Sequence, residues 1–274
     1  MNPEKTITPG PGGIAYGTYH EVIERELRAS IERYFEFLWE LHWKQKQGDE
    51  SYLVPIEQRR LPVIILSCTL LECAINFYLC IKCDAKQFEK LDKKGLFEEW
   101  TEVPKQFFPN YNIQSASGLK EDLRKLIDRR KAIIHSKPMI IVDGGNQHKG
   151  NEPEIAFDEH SFIERCVTLP YRLSDNLFGG DMHLWGLHQT CGSVVNVFQR
   201  ENRKFKLKTN IPRELILEIM EQGLDRETAI TCAMMVQAGR KPDENGRIVL
   251  YPRNGLRVKI KPLKFLDKKQ IQTD

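Results

Sequence analysis

Residues Leu61–Cys83 read LPVIILSCTLLECAINFYLCIKC. Wound as a 3.6-residue helix, this stretch places apolar side chains on every face, and only Glu72 and Asn76 interrupt it near the middle. A helix that is apolar nearly all round sits in the middle of a bundle, because each of its faces must be covered by a neighbour. A membrane span needs about 20 predominantly apolar residues. Glu72, Asn76 and the opening Pro62 favour burial in protein over burial in lipid, so no membrane is expected. The stretch predicts a mainly α fold around a helix that opens at Pro62 and ends near Cys83.

On its N-terminal side, Tyr19 to Lys46 repeats Leu27, Ile31, Tyr34, Phe35, Leu38 and Leu41 at three- and four-residue steps, opposite a face rich in Glu and Arg. This is a long amphipathic helix, ended by Gly48 and Asp49. Residues 1–18, which begin MNPEKTITPGPGG, carry no apolar signal segment and read as a flexible lead-in. On the C-terminal side, Ala85–Trp100 reads as a short helical piece. It is followed by VPKQFFPNYNIQSASG (Val103–Gly118), whose Pro, Asn and Ser residues deny it regular structure. The loop's Phe107, Phe108 and Tyr111 either stack bases or anchor it to the bundle.

Ser117 can cap a helix from Leu119 to about His135, with Glu121 and Asp122 favourably placed in the first turn and Pro138 as a stop. Met139–Phe157 reads as a Gly-turned excursion with two short strands. Asp158 or Ser161 then caps a helix to about Leu177. Met182–Gln199 is either a further helix or the resumption of that one. The whole gives a four- to five-helix bundle over residues 19–199.

Arg200–Asn210 is basic and weakly periodic and marks a boundary. Beyond it, residues 200–274 read as a small basic α+β module of two short helices and a β-hairpin. Pro212 opens the first helix and Gly223 closes it; Asp225 caps the second, which ends at Gly239. GRIVLYPRNGLRVKIKP (Gly246–Pro262) alternates around Asn254-Gly255, a hairpin signal.

Composition supports an ordinary globular chain, with 41% apolar and 29% charged residues in 274. Seven scattered cysteines follow apolar helical positions rather than a disulfide framework, so reduced thiols and a cytoplasmic setting are expected. A net charge of +3 does not announce a nucleic-acid partner, but the tail concentrates it: Lys259 to Lys269 holds five lysines and one aspartate. Cys80-Ile-Lys-Cys83 has local zinc spacing without a second ligand pair, and His183, His188 and Cys191 lack a carboxylate partner. No metal and no cofactor are expected.

Three pieces of sequence resemble the HEPN superfamily: LLECAINFYL (Leu70–Leu79), EEWTEVPKQF (Glu98–Phe107) and RRKAIIHSKP (Arg129–Pro138). The last carries the superfamily's signature, an Arg followed after four to six residues by a His, here Arg130 and His135. The resemblance spans roughly Tyr19–Phe198. It implies a HEPN-like bundle, a homodimer that brings two such helices across a cleft, and RNA as substrate. Where catalytic members often carry Asn, Asp or His after the Arg, this chain has Lys131.

Read from the residues alone, Arg130 aligns at four-residue spacing with Leu126 and Ile134 on a stripe formed by Leu119, Leu123, Leu126, Ile133 and Ile134. A guanidinium there needs a carboxylate, a phosphate or water. Glu72, one turn before Asn76, is the internal partner, and an Arg130–Glu72 pair that only fixes packing is the rival to a catalytic role. His135 falls at a helix C-terminus, suited to proton exchange near neutrality. Five residues turn an ideal helix through about 140°, so one copy makes half a site.

The implied reaction is metal-independent RNA cleavage of the toxin or antiviral-defence type. His135 takes the ribose 2'-hydroxyl proton, and Arg130 stabilises the phosphorane charge, leaving a 2',3'-cyclic phosphate. Glu72, Asn76 and Lys131 support the site, and Arg129 and Lys137 contact RNA. An antitoxin or defence-system protein is a further expected partner. The alternatives are a catalytically silent HEPN scaffold that binds RNA or dimerises, and a regulator that binds a partner through its C-terminal module.

Overall fold

The computed structural model describes residues 7–9, 15–17, 20–45, 55–108, 111–113, 118–134, 160–178, 185–239, 248–250, 258–261 and 263. The chain divides into two units, Met1–Glu201 and Asn202–Asp274, and its described part is mainly helical.

In the first unit, helix α1 (His20–Gln45) lies along α2 (Pro55–Lys82). The buried stripe of α1 runs through Leu27, Ile31, Tyr34, Phe35, Trp39 and Trp43. Trp39 and Trp43 take the places predicted for Leu38 and Leu41, because steps of four from Ile31 keep one line along the helix. Helix α2 is central, touching α1 and three helices described below. Val63, Ile64, Leu70, Leu71, Ala74 and Ile75 are all buried on it. By length and composition Arg59–Lys82 would also suit a membrane, but 56% of its most apolar window is buried inside this fold.

α2 starts at Pro55 rather than at Pro62. Pro55 occupies a first turn, where the missing N–H is no loss. Pro62 lies inside the helix and forgoes one backbone bond there, while the flanking Val63 and Ile64 are fully packed.

Ala85–Trp100 is two pieces, α3 (Ala85–Leu91) and α4 (Leu96–Thr101), parted by a turn that ends at Gly95, the N-cap of α4. Asp84 opens α3 with a capping box: its carboxylate accepts from Gln87 N at 2.8 Å, and Gln87 Oε1 accepts from Asp84 N at 3.3 Å. A single 3₁₀ turn, Pro104–Gln106, interrupts the segment predicted to be irregular. It anchors the aromatic loop. Tyr111 is 3% exposed and its hydroxyl donates to Trp100 O at 2.8 Å, while Phe107 packs on the cluster of Leu79, Cys80, Cys83, Phe88, Leu91 and Val103. The base-stacking reading of Phe107 and Tyr111 therefore fails, and Cys80 and Cys83 are core thiols.

Helix α5 (Leu119–Ile134) buries Leu119, Leu123, Leu126 and Ile127 against α2, α4 and α6 (His160–Phe178). Its last turn departs from the predicted stripe, since Ile133 is only half-buried and Ile134 is 52% exposed. Ile127 takes up the contact, as expected of a straight helix drifting past a short line of neighbours. Ser161 sits inside α6 rather than capping it, and the alternative cap, Asp158, lies outside the described residues. Arg172 and Arg165 on α6 reach Asp122 on α5 at 3.0 and 3.5 Å and tie the two helices.

Helix α7 (Trp185–Thr209) is separate from α6, and the division between the two units falls within it, after Glu201, inside the basic stretch read as a boundary; that stretch is helical as far as Thr209. Phe198 on α7 joins Phe35 and His160 in an aromatic cluster, and Tyr34 hydrogen-bonds His160 Nδ1 at 3.0 Å. At the N-terminus the structure corrects the expected lead-in. Strand β1 (Ile7–Pro9) pairs antiparallel with β2 (Ala15–Gly17), Thr8 opposite Tyr16, both strand-favouring residues.

In the second unit, Pro212 precedes α8 (Arg213–Met220), which turns off at Gly223 with φ +87, a value that favours glycine. Asp225 caps α9 (Arg226–Gln237), accepting from Thr228 N at 3.0 Å. Ile216, Ile219, Ile230 and Ala233 form its core. Strand β3 (Ile248–Leu250) pairs antiparallel with β4 (Val258–Ile260) in the register Val249 to Lys259. Asn254-Gly255, the excursion at Met139–Phe157 and Ser117 lie outside the described residues.

Candidate functional site

Central helix α2 presents Cys68, Glu72 and Asn76 at four-residue steps, and Arg130 comes from the last turns of α5 to meet them. The Arg130 fork grips the Glu72 carboxylate at both ends, Nη1 to Oε1 at 2.6 Å and Nη2 to Oε2 at 3.3 Å. This is the bidentate geometry that guanidinium and carboxylate planes favour. The two side chains are 30% and 32% exposed, so the pair sits at the surface end of the bundle rather than in its core. At that exposure the ion pair stabilises the fold by no more than about 1 kcal/mol.

Two polar atoms are enclosed without a hydrogen-bond partner among the described residues: Arg130 Nε and, one turn along α2 from Glu72, Asn76 Oδ1. One is a donor and the other an acceptor. Cys68 lies on the same side, fully buried; burial pushes its thiol up to about 12, with Arg130 opposing and Glu72 reinforcing the rise. It is therefore an inert thiol, not a nucleophile.

Of the other residues predicted for the site, Lys131 is exposed. Arg129 places its guanidinium 5.9 Å from the Phe162 ring centre, a cation–π contact that anchors it to α6. His135 and Lys137 lie just past Ile134, outside the described residues. The structure thus brings Arg130 and Glu72 together, with Asn76 one turn along α2 from Glu72, and sends Arg129 to a different neighbour.

Sequence reasoning missed Glu99, although it falls inside a stretch quoted above. Glu99 is 6% exposed on α4. Burial raises its carboxyl to about 7, and the charges of Asp92 and Glu72 add to the rise. A carboxylate buried beside Trp100 gives no periodicity signal of its own; the legible sign was Glu98-Glu99 in the first turn of a short helix, which reads equally well as a dipole contact.

The raised value sets a sign. The folded state holds a proton on Glu99 at pH values where the unfolded chain, with an ordinary glutamate, has lost it. Stability therefore falls as pH rises from about 4.5 to 7, then levels off. Glu99→Gln removes that penalty, by about 2–3 kcal/mol at pH 8 from a shift of this size. Thermal melts should show the variant above wild type at pH 8 and equal to it at pH 4. Equal melting temperatures at both pH values would contradict the assignment.

Of His183, His188 and Cys191, considered together above, His183 lies outside the described residues. Cys191 is 1% exposed, and the His188 ring packs 4.6 Å from Tyr171. Among the described residues no three His, Cys, Asp or Glu side chains converge as a ligand group. Compared with protein-family models, with curated proteins and with solved structures, the chain matches none.

Proposed function

We propose that the first unit is a HEPN-like domain that acts as a metal-independent endoribonuclease, working as a cytoplasmic homodimer of the toxin or antiviral-defence type. The observation that carries this reading is the Arg130 guanidinium. It is held in a bidentate grip by Glu72 at the open end of α5, where the two side chains are 30% and 32% exposed. A phosphate oxygen would meet the exposed part of that guanidinium.

His135 follows the last described residue of α5 and would act as the general base on the 2'-hydroxyl. Its oxygen then attacks the adjacent phosphorus, the P–O5' bond breaks as the 5'-oxygen takes a proton from a protonated His135, that of the second copy, and Arg130 stabilises the extra negative charge on the phosphoryl oxygens. Half-exposed Ile134 offers a second copy an apolar contact at the same end of α5. Glu72 has a positioning role, fixing the guanidinium plane. An antitoxin or defence-system protein would restrain such an activity.

The test is incubation of the full chain with labelled single-stranded RNA in EDTA. The account expects cutting that survives chelation and disappears in His135→Ala. A second reading has a specific observation behind it: Arg130 is already neutralised by Glu72, and Lys131 stands where catalytic HEPN proteins often carry Asn, Asp or His. In that reading the bundle is a silent RNA-binding or dimerising scaffold. Absence of cutting together with RNA binding would favour it.

A further inference from the structure

The two sides of α5 carry their charges differently. On the side reached by α6 the charges are matched: Glu121 pairs with Lys125 at 2.7 Å, Asp122 takes Arg165 and Arg172, and Arg129 rests on the Phe162 ring. On the side reached by α4 they are not. Lys120 and Arg124 stand four residues apart, a spacing at which like charges on a helix repel. Both nevertheless lie over one ring of α4, with Lys120 Nζ 6.0 Å and the Arg124 guanidinium carbon 4.9 Å from the centre of Phe97. One partly buried phenylalanine thus holds two cations side by side.

Lys131 extends the row. On an ideal helix Lys120, Arg124 and Lys131 fall within about 40° of one another and span about 16 Å along the axis, ending beside Arg130. Arg124 and Lys131 are exposed, and Lys120 is partly so. Among the described residues no carboxylate makes an ion pair with any of the three, although Asp128 stands exposed on the neighbouring line of the helix. Like charges crowded onto one ring disfavour the free protein, and an anion laid across them turns that cost into attraction. The ring holds the guanidinium in place, so less side-chain freedom is lost when the anion arrives.

We propose that Lys120, Arg124 and Lys131 form a phosphate-tracking row that carries a single strand of RNA along α5 to Arg130. The proposal rests on the RNA reading given above and adds to it the path by which the strand is held. Cations in line on one helix suit the phosphates of one strand, and such contacts fix the register of a nucleic acid without reading its sequence. An acidic protein segment would meet the same cations. Continuity with Arg130, the phosphate-binding group of the proposed reaction, favours RNA.

Salt dependence reads the row directly. Each phosphate contact on a single strand adds about 0.7 to the slope of log Kd against log salt. The full chain is titrated against a labelled oligodeoxythymidylate, which carries the same phosphates but no 2'-hydroxyl to attack, and anisotropy is followed from about 50 to 200 mM salt. In Lys120→Gln/Arg124→Gln/Lys131→Gln the slope should fall by about 2, and Kd at about 100 mM salt should rise at least tenfold. Lys86→Gln/Lys90→Gln/Lys93→Gln removes the same charge from exposed positions on α3 and the turn after it, and should keep the wild-type slope. The urea midpoint of the row variant should hold or rise, because like-charge crowding is relieved.

An unchanged slope in the row variant, or an equal fall in both variants, would overturn the proposal, since net charge alone would then account for binding. So would row-dependent binding of polyglutamate with none of the oligonucleotide, which marks an acidic protein as the partner. Row-dependent oligonucleotide binding without RNA cleavage supports the row and removes the nuclease; cleavage with an unchanged slope does the reverse.

Discussion

Arg130→Lys is expected to slow RNA cleavage by about a hundredfold or more while lowering stability by no more than about 1 kcal/mol. Lysine keeps the charge that faces Glu72, so the ion pair survives as a point contact. It loses the planar fork that lets arginine hold a carboxylate and still offer further N–H donors to a phosphate. The split between the two measurements is the informative part. If Arg130 only fixed packing against α2, the lysine variant would lose a little stability and no activity. The assay is cleavage rate at saturating RNA beside a urea midpoint on the same preparation.

Trp100→Ala should cost about 3–5 kcal/mol, enough to unfold much of the first unit at 37 °C. Trp100 is fully buried, and its Nε1 donates to Leu71 O at 3.3 Å on the central helix. Its own carbonyl accepts from Tyr111 at 2.8 Å, so removing the ring also loosens the loop. Trp100→Phe keeps most of the apolar volume and should lose less than half as much. Urea denaturation of the two variants checks the order.

The central helix was the most legible part of the fold, because an apolar run of that length has few ways to be covered. Its start was misread at Pro62. Proline marks a first turn by preference, but packing of Val63 and Ile64 carries the helix through it. The ends of the helices at Asp225 and Gly223 were readable, since such signals act locally, whereas the Asp84 capping box emerged only in the structure. The basic stretch after Arg200 held the division between the units, as its composition suggested, but not its helix, because charges obscure a helical period that needs no buried face to persist.

At the site, the Arg130–Glu72 pair followed from a simple cost argument, since a guanidinium among leucines needs a partner. Glu99 was hidden, because its burial comes from α4 folding back on α2, a long-range event with no sequence period.

The most direct measurement is the chemistry of the cut ends. RNA incubated with the protein in EDTA should yield fragments with 2',3'-cyclic phosphate and 5'-hydroxyl ends by mass spectrometry, and His135→Ala should yield none. Fragments ending in 3'-hydroxyl and 5'-phosphate, or cyclic ends that persist unchanged in His135→Ala, would contradict the account.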